Sequence, residues 1–241
     1  YTTYLGGGFG RRANPHADFV TEAVQVAKAV GRPVQVIWTR EDDLRGGYYR
    51  PMWVDVIEAA IGKGGKPVAW KHTIVGQSIM EGTPMAAAMI KDGVDASSVE
   101  GAANLPYFIP NIQVELHSPK HPVPVQWWRS VGHSHSAFDV ETMIDELAHL
   151  ARQDPVKFRL SLLPHGSRHH AALQLAAQKA GWGKVKPAPG HAFGVAVHES
   201  FGSVVAEVAE VSLENGQVRV HRVVAAVDCG RVINPDGVVQ Q

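Results

Sequence analysis

The sequence predicts a mixed α+β fold arranged as two lobes. Three observations carry that expectation. Apolar residues recur at helical spacing over 18–30, directly after a glycine-rich break. Further helical runs follow in the second half of the chain. From about residue 192 onward, three strand-length alternating runs are separated by short turns. The chain has 241 residues, 45% of them hydrophobic and 19% charged, which is a globular composition and enough to build a real core.

The elements follow in order. Residues 1–5 are aromatic and β-branched and read as a strand. Gly6-Gly7-Gly8-Phe9-Gly10 breaks it. In the helix that follows, Phe19, Val20, Ala23, Val24, Ala27 and Val30 share a face; Asp18 is placed to cap it, and Gly31 and Pro33 end it. Residues 34–39 read as a second strand, which completes a strand–helix–strand unit. Residues 54–61 and 67–75 form a hairpin around Gly62-Lys63-Gly64-Gly65-Lys66. Residues 77–101, with scattered Met, Ala and Gly, read as loose, and 111–116 as a strand. Helices are expected over 136–151, from Asp154-Pro155 with an N-cap and a proline in the first turn, and over 170–180 up to Gly181. The closing strands are 192–198, 204–213 and 218–227, with Glu214-Asn215-Gly216 as the turn between the last two. The stretch 165–192 suggests a boundary, giving a first lobe of 1–165 and a second of 166–241. The opening, already strand-like, and the polar-tail-free end read as part of something longer.

Charge and cysteine content exclude several classes. Lys and Arg total 23, as do Asp and Glu, so the net charge is zero. That argues against nucleic acid or an anionic membrane as the main partner. The single Cys229 excludes a disulfide framework, a zinc ribbon and an iron–sulfur cluster held by this chain's cysteines. No apolar run reaches the length of a membrane span.

Four constellations could carry chemistry. The glycine run, followed by Arg11-Arg12 and a helix, lets the backbone approach a ligand closely and suits an anionic or oxo-bearing group; a ligand-free turn is the alternative. Gly132-His133-Ser134-His135-Ser136 nearly matches a nucleophile elbow, with Ser134 as the nucleophile of a serine hydrolase; the alternative is a helix cap. The histidine pairs 117/121, 133/135 and 169/170 lack a nearby carboxylate partner at ligand spacing, so no metal site is expected from them. Gln126-Trp127-Trp128-Arg129 sets an arginine beside two large aromatics, as an anion or carbonyl clamp or as a structural cation–π contact. A non-catalytic binding module is the remaining alternative.

Taken together these runs resemble the molybdenum-cofactor subunit of the xanthine dehydrogenase and aldehyde oxidase superfamily. Thr39-Arg40-Glu41-Asp42-Asp43, Trp128-Arg129-Ser130-Val131-Gly132 and Asp228-Cys229-Gly230-Arg231-Val232-Ile233-Asn234-Pro235 fall in the family's order. Arg11-Arg12, Tyr49-Arg50-Pro51 and Trp127-Trp128-Arg129-Ser130 resemble, more narrowly, the large subunits of the isoquinoline 1-oxidoreductase group and related bacterial aldehyde dehydrogenases. The resemblance implies cofactor-binding roles for Gly7, Gly8, Phe9, Gly10, Arg11 and Gln241, and a substrate-holding, catalytic role for Arg129. It implies a molybdenum cofactor of the molybdopterin cytosine dinucleotide type, an aldehyde or N-heterocycle as substrate, water as the oxygen source, and an iron–sulfur small subunit as electron acceptor, in bacterial cytoplasm or periplasm. The family's basic glutamate, in a Gly-x-Gly-Glu run beyond the Asn-Pro pair, has no counterpart here. The expectation is a central fragment that depends on further parts of its own large subunit and is inactive alone. Ala13, Asn14 and Gly82 stand where some relatives carry charged residues, which argues against purine-type recognition.

Overall fold

The computed structural model describes residue 4 and residues 6–241. The strand expected over 1–5 therefore lies outside the described residues, Tyr4 apart. The chain packs as two compact units whose segments interleave. One comprises the described residues through Asp55 with Ile74–Val99 and Leu116–Val131; the other is Val56–Thr73, Glu100–Glu115 and Gly132–Gln241.

The first unit opens with the glycine loop and helix α1, Asp18–Val30. Its amphipathic spacing is as expected, yet none of its residues is buried. Asp18 does not cap it. The N-cap is Ala17, left-handed at φ 48°, and the Asp18 carboxylate accepts from Arg11 instead. Gly31 closes the helix at φ 68°, where a glycine costs least. Residues 34–39 have no regular structure and pair with no strand among the described residues, and helix α2, Arg40–Arg45, follows at once. Its start is fixed by a reciprocal capping box: Thr39 accepts from the Asp42 amide, and Asp42 accepts from the Thr39 amide. The expected strand–helix–strand unit is thus not formed by the described residues; Val36 and Trp38 line a cleft instead.

Strands β1, Trp53–Ile61, β2, Pro67–Gly76, and β5, Ile112–His117, form a three-stranded sheet in the order β1-β2-β5. Each contributes residues to both units. The stretch 77–101 is not loose. It holds helix α3, Ala86–Met89, the paired strands β3, Ile90–Lys91, and β4, Val94–Asp95, and a 3-10 turn at Ala96–Ser98. Asp95, 1% exposed, organises it by accepting from Ser78 Oγ, Ser97 Oγ and the Ser97 amide.

The second unit holds a conventional core. Helices α4, His133–Leu150, α5, Pro155–Leu162, and α6, Arg168–Ala180, pack with the antiparallel sheet β6-β7-β8. The strands are His191–Ser200, Ser203–Glu214 and Gln217–Asp228. Val204, Ala206 and Val208 alternate inward on β7 toward Ile144, Leu173 and Ala176 in one buried cluster. Asp154 caps α5 by accepting from the amides of Val156 and Lys157. Asn215 and Gly216 both have positive φ, the geometry of a tight hairpin turn. Helix α7, Pro235–Val239, closes the chain with Asn234 as its N-cap. No described helix is long and apolar enough to cross a membrane.

Candidate functional site

The glycine loop of the first unit is built from positions where ordinary backbone fails. Gly7 lies at φ 113° and Gly10 at φ 89°. A Cβ at Gly10 would sit 2.7 Å from the Trp127 carbonyl oxygen and 2.9 Å from Trp128 Cα, so only glycine lets the loop press on that segment. The approach is hydrogen-bonded as well as close. The Arg129 amide donates to Phe9 O at 2.8 Å, and the buried Gln126 side-chain Nε2 donates to Gly10 O and Arg11 O at 3.3 and 3.4 Å. The carbonyls of Gly8 and Gly10 are taken by the amides of Arg12 and Ala13.

Strain concentrates on both sides of this junction. Phe9 is left-handed at φ 50°, and Ser130 and Val131 follow one another at φ 73° and φ 45°. A β-branched residue there is a genuine outlier, and such residues persist only where their surroundings over-determine them. Arg50 anchors the far side by donating to Arg129 O at 2.9 Å.

The loop borders a cleft of about 740 Å³ lined by Gly6, Gly7, Gly8, Phe9, Arg11 and Arg12 on one side. Phe19, Trp38, Arg40 and Trp128 add to the walls, together with the carboxylates of Glu22 and Asp43. Among the expected site residues, Gly7, Gly8, Phe9 and Arg11 therefore line one cleft. Gly10 braces the loop from behind. Arg129 is exposed, at the start of a turn, and joins the site through its backbone, whereas its neighbour Trp128 lines the cleft. Gln241 lies in the second unit, exposed at the end of α7.

Arg11 and Arg12 have different environments. The Arg11 guanidinium is clamped by Asp18 at 2.6 Å and stacks over Phe19 and Tyr48, 4.7 and 5.4 Å from their ring centres. Arg12 is exposed on the cleft, where Arg40 adds a second cation. Arg40 was not among the residues expected at the site; its signal in the sequence is the Thr39-Arg40-Glu41-Asp42-Asp43 run that carries the family resemblance. The Trp128 indole N–H is buried without a hydrogen-bond partner. Asp43, 3.7 Å from Arg40, offsets part of the Arg40 charge; the buried indole N–H, the exposed Arg12 and a glycine-lined wall, on which a Cβ at Gly6 would meet nothing within 4 Å among the described residues, fit an oxygen-rich group.

The serine-hydrolase alternative is corrected here. Ser134 sits in the first turn of α4, preceded by the turn at Ser130 and Val131 and not by a strand, so there is no elbow to project it. Neither Ser134 nor Ser136 caps the helix; the N-cap is Gly132, and Ser136 Oγ donates to Glu100 O.

Comparison with known proteins decides the family. Two models described as "Molybdopterin cofactor-binding domain" match residues 1–162 and 134–241. The chain belongs to the molybdopterin cofactor-binding domain family. Within it, the chain is similar to the beta chain of isoquinoline 1-oxidoreductase from Brevundimonas diminuta, 31% identical over 98% of this chain and 31% of the relative. It is also similar to a nicotinate dehydrogenase subunit of Pseudomonas putida, 28% identical over 98% of this chain and 21% of the relative. The chain thus spans about a third or less of these relatives. Among solved structures, quinoline 2-oxidoreductase from Pseudomonas putida 86 matches with TM-score 0.60 and 19% identity, over 84% of this chain and 27% of that one. The aldehyde oxidoreductase of Desulfovibrio gigas matches with TM-score 0.58 and 22% identity, over 90% and 26%. At those identities the likeness is one of fold, and it agrees with the mixed α+β architecture.

Proposed function

We propose that this chain forms the cofactor-facing part of a molybdenum hydroxylase that oxidises an aldehyde or N-heterocycle with oxygen from water. The observation that carries the reading is the strained junction of the glycine loop with Gln126–Arg129, inside a chain of molybdopterin-binding family. When bound, the molybdenum cofactor supplies the two-electron oxidation and the transferable oxygen.

The chain's own residues divide the remaining work. Gly7, Gly8 and Phe9 bring backbone close to the group, and Gly10 keeps that approach rigid through its contact with Trp127 and Trp128. Arg12 and Arg40 supply positive charge to an oxygen-rich ligand, while Arg11 holds the loop to α1 through Asp18. The role suggested for Gln241 is a contact to the pterin. Arg129, fixed through its backbone to Phe9, orients substrate with its side chain. Ala13, Asn14 and Gly82 leave their positions uncharged, which supports an aldehyde or a simpler N-heterocycle over a purine-type substrate. An iron–sulfur small subunit is the proposed electron acceptor, and the cytosine dinucleotide form is the proposed cofactor.

The test is molybdenum and pterin content of the protein purified from its own cells, run beside dye-coupled oxidation of aldehydes, isoquinoline and nicotinate. Near-stoichiometric molybdenum with oxidation of one class supports the reading. A metal-free protein with no turnover contradicts it.

A further inference from the structure

Within the second unit, two histidines from two elements meet, with a third nearby. His133 begins α4, His198 lies on β6 and His169 on α6. His133 Nδ1 and His198 Nε2 are 2.9 Å apart, with the rings edge to face at 72°. On the other side of His133, Nε2 stands 3.9 Å from Glu100 Oε2. Glu100 is itself held at the α4 start, accepting from the Gly132 amide at 3.3 Å. His169 Nε2 is 3.5 Å from Glu199 Oε2, which reaches solvent. Room for the pair is reserved by Gly101, at φ 78°. A Cβ there would meet His198 Cε1 at 2.9 Å and His133 Nδ1 at 3.0 Å.

Two imidazole nitrogens at hydrogen-bond distance hold one proton between them, so one ring donates and the other accepts. We propose that His133 and His198 form a single-proton relay, with Glu100 beside its His133 end and His198 Nδ1 as its other end. The proposal rests on the reaction proposed above, and it assigns the pair to carrying away a proton which that reaction releases. The overall change is R–H plus water to R–OH, two protons and two electrons, the electrons passing to the iron–sulfur partner. His133 follows Arg129 by four residues in the chain.

Each transfer balances. A proton arriving at His133 Nε2 is matched by passage of the shared proton from His133 Nδ1 to His198 Nε2. His198 then releases the proton on its Nδ1. Both rings have changed tautomer; returning the shared proton alone would leave an imidazolium beside an imidazolate, so both rings must turn their N–H ends back along the relay before the next passage.

Burial keeps the pair neutral. It pushes His198 down to about 4, helped by nearby His133 and His169. His133 is lowered by burial and by His135, against Glu199, which raises it; His169 is lowered by burial and Arg168, again against Glu199. A neutral pair passes a proton along without trapping charge, which a lone exposed histidine near its ordinary value would do.

Two measurements test this. In the 15N-labelled chain, long-range imidazole correlations from pH 5 to 8 should show both rings neutral and in the same tautomer, both Nδ1–H or both Nε2–H, with the two states interconverting. A single frozen tautomer, or a doubly protonated ring in that range, overturns the relay. In the complete enzyme, His198→Phe should slow turnover about tenfold, raise the solvent deuterium isotope effect and respond to added imidazole, with molybdenum content unchanged. Turnover within about twofold of the parent and an unchanged isotope effect overturn it also; His198→Gln serves where the Phe variant does not fold. If the parent enzyme oxidises no candidate substrate, the proposed reaction fails by itself and the tautomer measurement alone decides the pair.

Discussion

Val208 on β7 is 2% exposed and Val24 on α1 is 60% exposed, although both sit on the apolar face of a regular element. The second unit satisfies its pattern within itself: α4, α5, α6 and the β6-β7-β8 sheet close on one apolar cluster. The first unit holds its shape through polar and backbone ties, namely the Arg11–Asp18 pair, the Arg129–Phe9 bond, the Thr39–Asp42 box and buried Asp95. It also carries the left-handed Phe9, Ser130 and Val131. Apolar burial stabilises without direction, whereas hydrogen bonds and strained backbone fix geometry. The unit that carries the glycine-lined cleft is built by the second means.

The comparison breaks first at Arg159, wholly buried and bonded to Glu141, Asp145 and two backbone carbonyls. Arg159→Ala strands the buried Glu141 carboxylate and should cost about 3–5 kcal/mol, read as a fall in denaturant midpoint. Leu173→Ala, at 0% exposure, should cost about 2–5 kcal/mol by the same measurement. Gly10→Ala should cost less, about 1–3 kcal/mol, but abolish cofactor retention, because the added methyl drives the loop off Trp127. Val24→Ala should change stability by less than about 0.5 kcal/mol in this chain; a larger loss would mean that α1 is packed after all.

Acid sharpens the contrast further. Asp228, bonded to Arg168 and the Gly230 amide, is held at about 2. Its contribution is present above the ordinary carboxylate range and fades as pH falls through about 2. His198 works the other way. With a folded value of about 4 against an ordinary 6.5, the unfolded chain takes up its proton first. That histidine therefore subtracts stability as pH drops from about 6.5 towards 4. His198→Gln should flatten this part of a stability-against-pH curve and leave the part below about pH 4 in place.

Elements whose signals are local were legible in the sequence. The α1 face, the Asp154-Pro155 start and the Asn215-Gly216 turn need only neighbouring residues to specify them. The turn between β6 and β7 was less so, because the first of its two left-handed positions holds Phe201, and only the second holds a glycine, Gly202. Residues 34–39 misled because alternation marks a two-faced extended segment, whether its backbone pairs in a sheet or its side chains line a cleft. The stretch 77–101 misled because its organiser, Asp95, acts through Ser78 and Ser97 and has no apolar period. In the site, glycine density exposed the loop. The division of labour between Arg11 and Arg12 depends on Asp18, Phe19 and Tyr48 in three dimensions, and the His133–His198 pair joins positions 65 residues apart.

The most direct test of the central claim compares three glycine substitutions in the complete protein by molybdenum and pterin content per chain. Gly10→Ala removes the loop's close approach; Gly6→Ala adds a methyl with no neighbour within 4 Å; Gly166→Ala strains a φ of 77° in the second unit. Gly10→Ala should lose the cofactor, Gly6→Ala should reduce it, and Gly166→Ala should retain it despite its own backbone strain. Full cofactor in Gly10→Ala, or equal loss in all three, would contradict the assignment of the glycine loop as the cofactor-holding element.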